Sequence, residues 1–117
     1  MYSLISKWTI LPEHELIAIR ALQNLALQVQ QSEPNTWIYL VHTPDFTQPN
    51  LPTPPAGEVV FFEVYKDEAS FQTHVRGPIF TAFVQQYGSL FLNNLGKPYV
   101  TLELLDRQAG FIRSDVD

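Results

Sequence analysis

Apolar residues recur along this chain in two rhythms. From residue 2 to residue 11 they fall on both parities, with Tyr2, Leu4, Trp8 and Ile10 on one and Ile5 and Leu11 on the other. That pattern predicts a strand covered on both faces. Pro12 stands where a helix can begin, because a first-turn proline loses no hydrogen bond. Glu13 and Glu15 then put negative charge at the positive end of the helix dipole. Ala18, Ile19, Leu22, Leu25, Ala26 and Val29 return at three-and-four spacing, the stripe of an amphipathic helix ending near Ser32, ahead of Pro34 and Asn35. Residues 37–42 are rich in aromatic and branched side chains and predict a second strand. Residues 43–57 hold five of the nine prolines and exclude regular structure, since each proline removes a donor and fixes its own backbone angle.

A third strand follows over residues 58–65, with Val60, Phe62 and Val64 on one face and Val59, Phe61, Glu63 and Tyr65 on the other. Asp67 is a natural N-cap for a short helix whose inner face carries Phe71, His74 and Val75. Gly77-Pro78 breaks that helix and opens another, with Ile79, Phe80, Phe83, Val84 and Tyr87 turned inward. A turn at Gly96-Lys97-Pro98 leads to a fourth strand over residues 99–105. The order β-α-β-β-α(α)-β predicts an α+β, ferredoxin-like domain with a four-stranded antiparallel sheet and its helices on one face. Residues 1–107 form this domain, 43–57 are an insertion, and 108–117 are a polar tail in which Phe111 and Ile112 can act as anchors. The helices cover one face only, yet both parities of the strands are apolar. A two-fold partner packed sheet on sheet is the simplest cover, so a homodimer is expected.

At 117 residues the chain is one domain, and 45% hydrophobic against 16% charged residues supports a packed core. The net charge is −5, and no Lys or Arg occurs between Arg20 and Lys66. Without a basic stripe, nucleic acid is not an expected partner. Cysteine is absent, which excludes a disulfide scaffold and a cysteine nucleophile. The N-terminal segment lacks a basic, apolar leader pattern, and no run of 18 apolar residues exists. The expectation is a cytoplasmic protein with no membrane partner.

The spacing of His14, His42 and His74 matches no metal motif, so no metal site is expected. His42, at the end of the second strand, faces either the interior or the loop. His74 shares a face with Phe71 and Val75, where a histidine either packs as a satisfied core residue or accepts a proton near neutrality. Glu63 is an acid within an otherwise apolar stretch, and burial there requires a partner, such as Arg76, or a raised pKa. Trp8, Trp37, Phe61, Tyr65 and Tyr99 suit a core, a dimer interface or the wall of a ligand pocket. No phosphate-binding glycine loop and no serine nucleophile elbow occur.

The run Glu63-Val64-Tyr65-Lys66-Asp67-Glu68-Ala69-Ser70-Phe71-Gln72-Thr73-His74, followed by Gly77-Pro78, Phe80 and Phe83, resembles the antibiotic biosynthesis monooxygenase family. Pro12-Glu13 and Glu33-Pro34-Asn35 fit the same pattern. The resemblance spans residues 4–105 in order and spacing. It implies a dimeric α+β barrel that oxidises an electron-rich, quinol-like or polycyclic aromatic with molecular oxygen and without a cofactor. His74 would be the general base, with Trp8, Trp37, Phe61, Glu63, Tyr65 and His42 against the substrate. Gly77 stands where a Ser or Thr is more usual, and Ile79 where a polar residue is frequent. Both changes thin the donors near His74 and favour an alternative, a non-catalytic dimeric module that binds a small ligand or serves assembly. The second short helix carries no tryptophan of the kind found in haem-degrading relatives, which places haem degradation behind both.

Overall fold

The computed structural model describes residues 1–114, so the last three residues of the expected tail lie outside it. Three long strands, β1 (Tyr2–Thr9), β2 (Thr36–His42) and β3 (Glu58–Tyr65), join a shorter β6 (Thr101–Leu105) in one antiparallel sheet. Its spatial order is β2-β3-β1-β6, the ferredoxin-like arrangement. The helices are α1 (Glu15–Ser32), α2 (Glu68–Arg76) and α3 (Pro78–Tyr87). A minimal hairpin, β4 (Asn93–Asn94) and β5 (Lys97–Pro98), stands between α3 and β6.

Register decides which side chains meet the helices. Leu4, Ser6 and Trp8 of β1 stand opposite Glu63, Phe61 and Val59 of β3, and Tyr39 and Val41 of β2 stand opposite Glu63 and Phe61. This shared face packs on Ala18, Ala21, Leu22, Leu25 and Val29 of α1 and on Phe83 of α3, which together form the main core. The other face presents Ile5, Ile38, Leu40, Val60 and Phe62, only partly buried at best. The helical layer also stops short of β6, where Leu102 and Leu104 lie on the helix side yet remain open to solvent.

Four boundaries differ from the sequence expectation, each for a local reason. β1 ends at Thr9, because Ile10 leaves the strand and makes an isolated bridge with Phe91. α1 begins at Glu15 and not at Pro12. Pro12 instead opens a turn closed by the His14 amide donating to the Leu11 carbonyl at 3.2 Å, and Glu13 takes a φ of 74° within it. Proline second and a left-handed residue third is the type II turn. At Trp37 the pairing slips by one residue, since Thr36 faces Tyr65 while Ile38 faces Val64. That bulge breaks the alternation and leaves Trp37 52% exposed at the sheet edge. Residues 93–98 form the hairpin, with its turn at Leu95-Gly96, so the fourth strand begins at Thr101 and Tyr99 stays exposed.

One glycine fixes where that hairpin sits. A Cβ on Gly88, in the 3-10 turn after α3, would lie 1.9 Å from the Gly96 carbonyl oxygen. Only a residue without a side chain lets the two backbones approach so closely. Residues 43–57 carry turns and no strand or helix, as their prolines require. Among the described residues no helix is long and apolar enough to cross a membrane.

The cap on α2 gives a direct test of the local reading. Asp67 accepts the Ser70 amide at 2.8 Å and the Ser70 hydroxyl at 2.7 Å. Asp67→Ala is expected to lower the urea midpoint with the slope unchanged, because α2 loses its cap. An unaltered midpoint would show that the cap contributes nothing to α2.

Candidate functional site

The helix-side face of β2 and β3 carries more polar chemistry than a core of this size needs. Glu63 and Tyr65 are two apart on β3, so alternation points both beneath α2. The Tyr65 hydroxyl donates to Glu63 Oε1 at 2.5 Å. His74 descends from α2 onto the same face and is only 2% exposed. Its Nδ1 lies 2.7 Å from Oε1 of Glu33, the residue that caps the C-terminus of α1, and its Nε2 lies 3.4 Å from the Tyr39 hydroxyl. Thr36 donates to the same Glu33 oxygen at 3.2 Å. No buried side-chain polar atom among the described residues lacks a partner.

These contacts define the proton positions. A carboxylate only accepts, so the proton of neutral His74 resides on Nδ1 and Nε2 keeps its lone pair toward Tyr39. Burial lowers the His74 pKa, and the Glu33 charge opposes that shift without reversing it. Burial raises Glu63 to about 7 against the lowering effect of the Tyr65 hydrogen bond. Both tyrosines are held neutral, chiefly by burial and then by nearby carboxylate charge. Near neutral pH the cluster therefore holds a neutral imidazole next to a carboxylate, with a second carboxyl that is easily protonated.

Aromatic rings wall this cluster. The His74 ring is 5.2 Å from Phe80 and 5.7 Å from Tyr65, and Phe80 is edge-on to Trp8 at 5.9 Å. Beyond Phe80 opens a cleft of about 640 Å³, walled by Trp8, Val75, Phe80, Val84, Pro98 and Val100. Thr81 and Gln85 of α3 add polar groups, and Leu95 and Lys97 of the hairpin form the rim. Its size suits a small aromatic ligand. Phe80 thus separates His74 from the cleft. Grooves of about 420 and 750 Å³ flank β2 on the far side, and Tyr39 lines both of them. Ile112 of the tail reaches the larger one, beside Trp37 and Phe62.

Of the residues singled out from sequence, Phe61, Glu63, Tyr65 and His74 share one buried layer, with Trp8 at its cleft side. Glu63 pairs with Tyr65, not with Arg76. Trp37 stands apart at the outer edge, and the exposed His42 donates a ring N–H to the Val60 carbonyl at 3.0 Å on the opposite face. Sequence reasoning passes over Tyr39, Phe80 and the hairpin as site residues, and Glu33 enters it only within the Glu33-Pro34-Asn35 stretch of the family resemblance. Tyr39 and Glu33 meet His74 across 35 and 41 residues of chain. Their one sequence signal is an acid directly ahead of Pro34 and a tyrosine on the alternation that faces Glu63. Among the described residues no group of three or more His, Asp or Glu side chains is placed to hold a metal ion.

A four-stranded antiparallel sheet with three helices on one face defines a ferredoxin-like α+β domain, with an aromatic-walled cleft beside α3. The chain belongs to the antibiotic biosynthesis monooxygenase family, whose family model matches residues 1–86. Solved structures of similar fold include an antibiotic biosynthesis monooxygenase that is 23% identical, with 93% of this chain and 100% of that one covered and a TM-score of 0.71. A protein of Deinococcus radiodurans assigned to the same family is 17% identical over 97% of this chain and 100% of its own, with a TM-score of 0.70. A third, from Caulobacter crescentus CB15, is 18% identical over 92% and 90%, with a TM-score of 0.73. No curated protein matches the chain.

The raised Glu63 pKa fixes the sign of one pH effect. The folded chain binds this proton more tightly than the unfolded chain, so between about 4.5 and about 7 the folded state carries the extra proton. Stability from this group falls as pH rises through that window and levels off above it. Glu63→Gln keeps the shape without the charge. Between about pH 5 and about pH 8 the wild type is expected to lose roughly 3 kcal/mol relative to the glutamine variant. Urea unfolding of both proteins at the two pH values checks it, and parallel pH profiles would refute it. The comparison removes the opposing contribution of His74, whose lowered pKa makes stability rise with pH up to its ordinary value.

Proposed function

We propose that this protein is a cofactor-independent monooxygenase that oxidises an electron-rich, quinol-like or polycyclic aromatic with molecular oxygen, with His74 as the general base. The observation that carries the reading is the Glu33–His74 contact of 2.7 Å beside an aromatic-walled cleft. Glu33 secures the tautomer in which Nε2 is basic, and burial keeps the imidazole neutral and ready to accept a proton. Family membership supports the reaction class. In this reading Phe80 turns aside as the substrate enters, and Nε2 takes its phenolic proton. The phenolate passes an electron to oxygen, and the resulting pair combines at a ring carbon as a peroxide. The peroxide regains the proton, and the hydroperoxide then gives up the C–H hydrogen of that ring carbon as its O–O bond breaks, so one oxygen atom stays in the product as a carbonyl and the other leaves as water. Apolar walls protect the charged intermediates from solvent.

His74→Ala is expected to lower oxygen uptake with hydroquinones, catechols and anthrones by about a hundredfold or more, with the circular dichroism spectrum unchanged. Equal rates in the two proteins, or no uptake with any of these substrates, would overturn the reading. A second reading has its own support. Both ring nitrogens of His74 are engaged by the chain itself and Phe80 closes the way to the cleft, as in a non-catalytic dimeric binding module. That module would bind an aromatic in the cleft and consume no oxygen.

The working unit in either case is a homodimer. Leu40 and Leu105 are exposed on the open face, beside the half-buried Ile5, Ile38, Val60 and Phe62, an apolar face of the kind that marks an interaction site. A two-fold copy seated on that face would bury it. Sedimentation at low micromolar concentration is expected to give twice the 13.4 kDa chain mass. A stable single-chain species would overturn the dimer.

A further inference from the structure

We infer that the cleft selects a flat aromatic carrying an anionic group, with Lys97 holding the anion and Leu95 closing over the ring. The inference rests on the cleft being the ligand site of the proposed function and adds the charge of the ligand. Lys97 is the one charged residue among the side chains that line the cleft, and it makes no ion pair among the described residues. It sits beside Trp8, Phe80 and Val84, which supply apolar area for a planar ring but no partner for an anion. The chain as a whole carries a net charge of −5, so an isolated cation at the mouth of an apolar cleft is set against the prevailing field.

Leu95 gives the second, independent observation. Its φ is 53°, and its side chain is 97% exposed at the tip of the hairpin. Two-residue hairpin turns with left-handed backbone favour asparagine followed by glycine, and a leucine there is strained. Gly96 satisfies the second position with a φ of 84°. A large apolar side chain held in a costly conformation, open to water and lining the cleft, serves no packing in the free protein. It gains a contact when a ring lies between it and Trp8. The close approach of Gly88 to Gly96 holds the hairpin at the rim, so Leu95 and Lys97 are presented together.

The experiment compares 2-naphthoate with 2-naphthamide, which share a ring system and differ in charge at neutral pH, by isothermal titration calorimetry. Wild type is expected to bind the naphthoate roughly fivefold tighter than the amide, with the gap shrinking as salt rises. Lys97→Arg keeps the preference, Lys97→Gln abolishes it and Lys97→Glu reverses it. Leu95→Asn relieves the turn, so its melting temperature is unchanged or higher while its affinity for both probes falls. Absence of binding, equal affinity for the two probes in wild type, or a preference that survives Lys97→Gln would overturn the anion site. Unaltered affinity in Leu95→Asn would overturn the lid. Oxygen uptake plays no part in these readings. A naphthoate preference in a protein that oxidises nothing would therefore leave this inference standing and remove the catalytic one.

Discussion

An indole ring buried near the end of β1 leaves the layer above it little freedom. Trp8 meets Phe61 at 5.5 Å within the sheet, Phe80 and Phe83 of α3 at 5.9 and 6.0 Å, and Phe91 after the 3-10 turn at 5.0 Å. Its N–H donates to Ser6 at 3.0 Å, so the ring is buried without leaving an unpaired donor. Tilted and edge-on contacts of this kind fix both distance and orientation. The position of α3 over the sheet, the path of the chain toward the hairpin and the floor of the cleft all follow from this one side chain. Cleft and core therefore share one packed side chain.

The polar layer beside that ring obeys a different rule. Ionisable groups buried at this depth cost several kcal/mol each if charged and unpaired. Here the cost is reduced by sharing: Tyr65 serves Glu63, while Glu33 accepts from both His74 and Thr36. Glu33 reaches this layer only because α1 ends where it does. Helix length, set by the stop at Pro34, thus positions a carboxylate beneath a different helix.

The elements that could be read from sequence were those with a sustained period. The stripe on α1, the alternation of β3 and the capped start of α2 each extend over enough residues for periodicity to decide. What stayed hidden was shorter or depended on distance across the fold. Strands of two residues, as in β4 and β5, have no period. The delay of α1 hinges on a left-handed Glu13, a residue with no strong preference for that conformation. Counting parity along β2 fails at Trp37 because one extra residue resets it. His74, Glu63 and Tyr65 stood out because they interrupt apolar runs, whereas Tyr39 belongs to such a run and Glu33 to a helix end. Nothing in chain order brings those two to His74.

The slip at Trp37 bears on how this chain avoids its own kind. β2 is an outer strand, and outer strands offer unpaired amides and carbonyls to any extended segment nearby. The bulge locally twists that border, and the chain leaves β2 directly into residues 43–57, whose five prolines lack the amide hydrogens a growing ladder needs. A sheet with so much apolar surface would otherwise be a template for open-ended fibrillar stacking. Irregularity at this border denies an incoming extended segment a continuous edge to pair with.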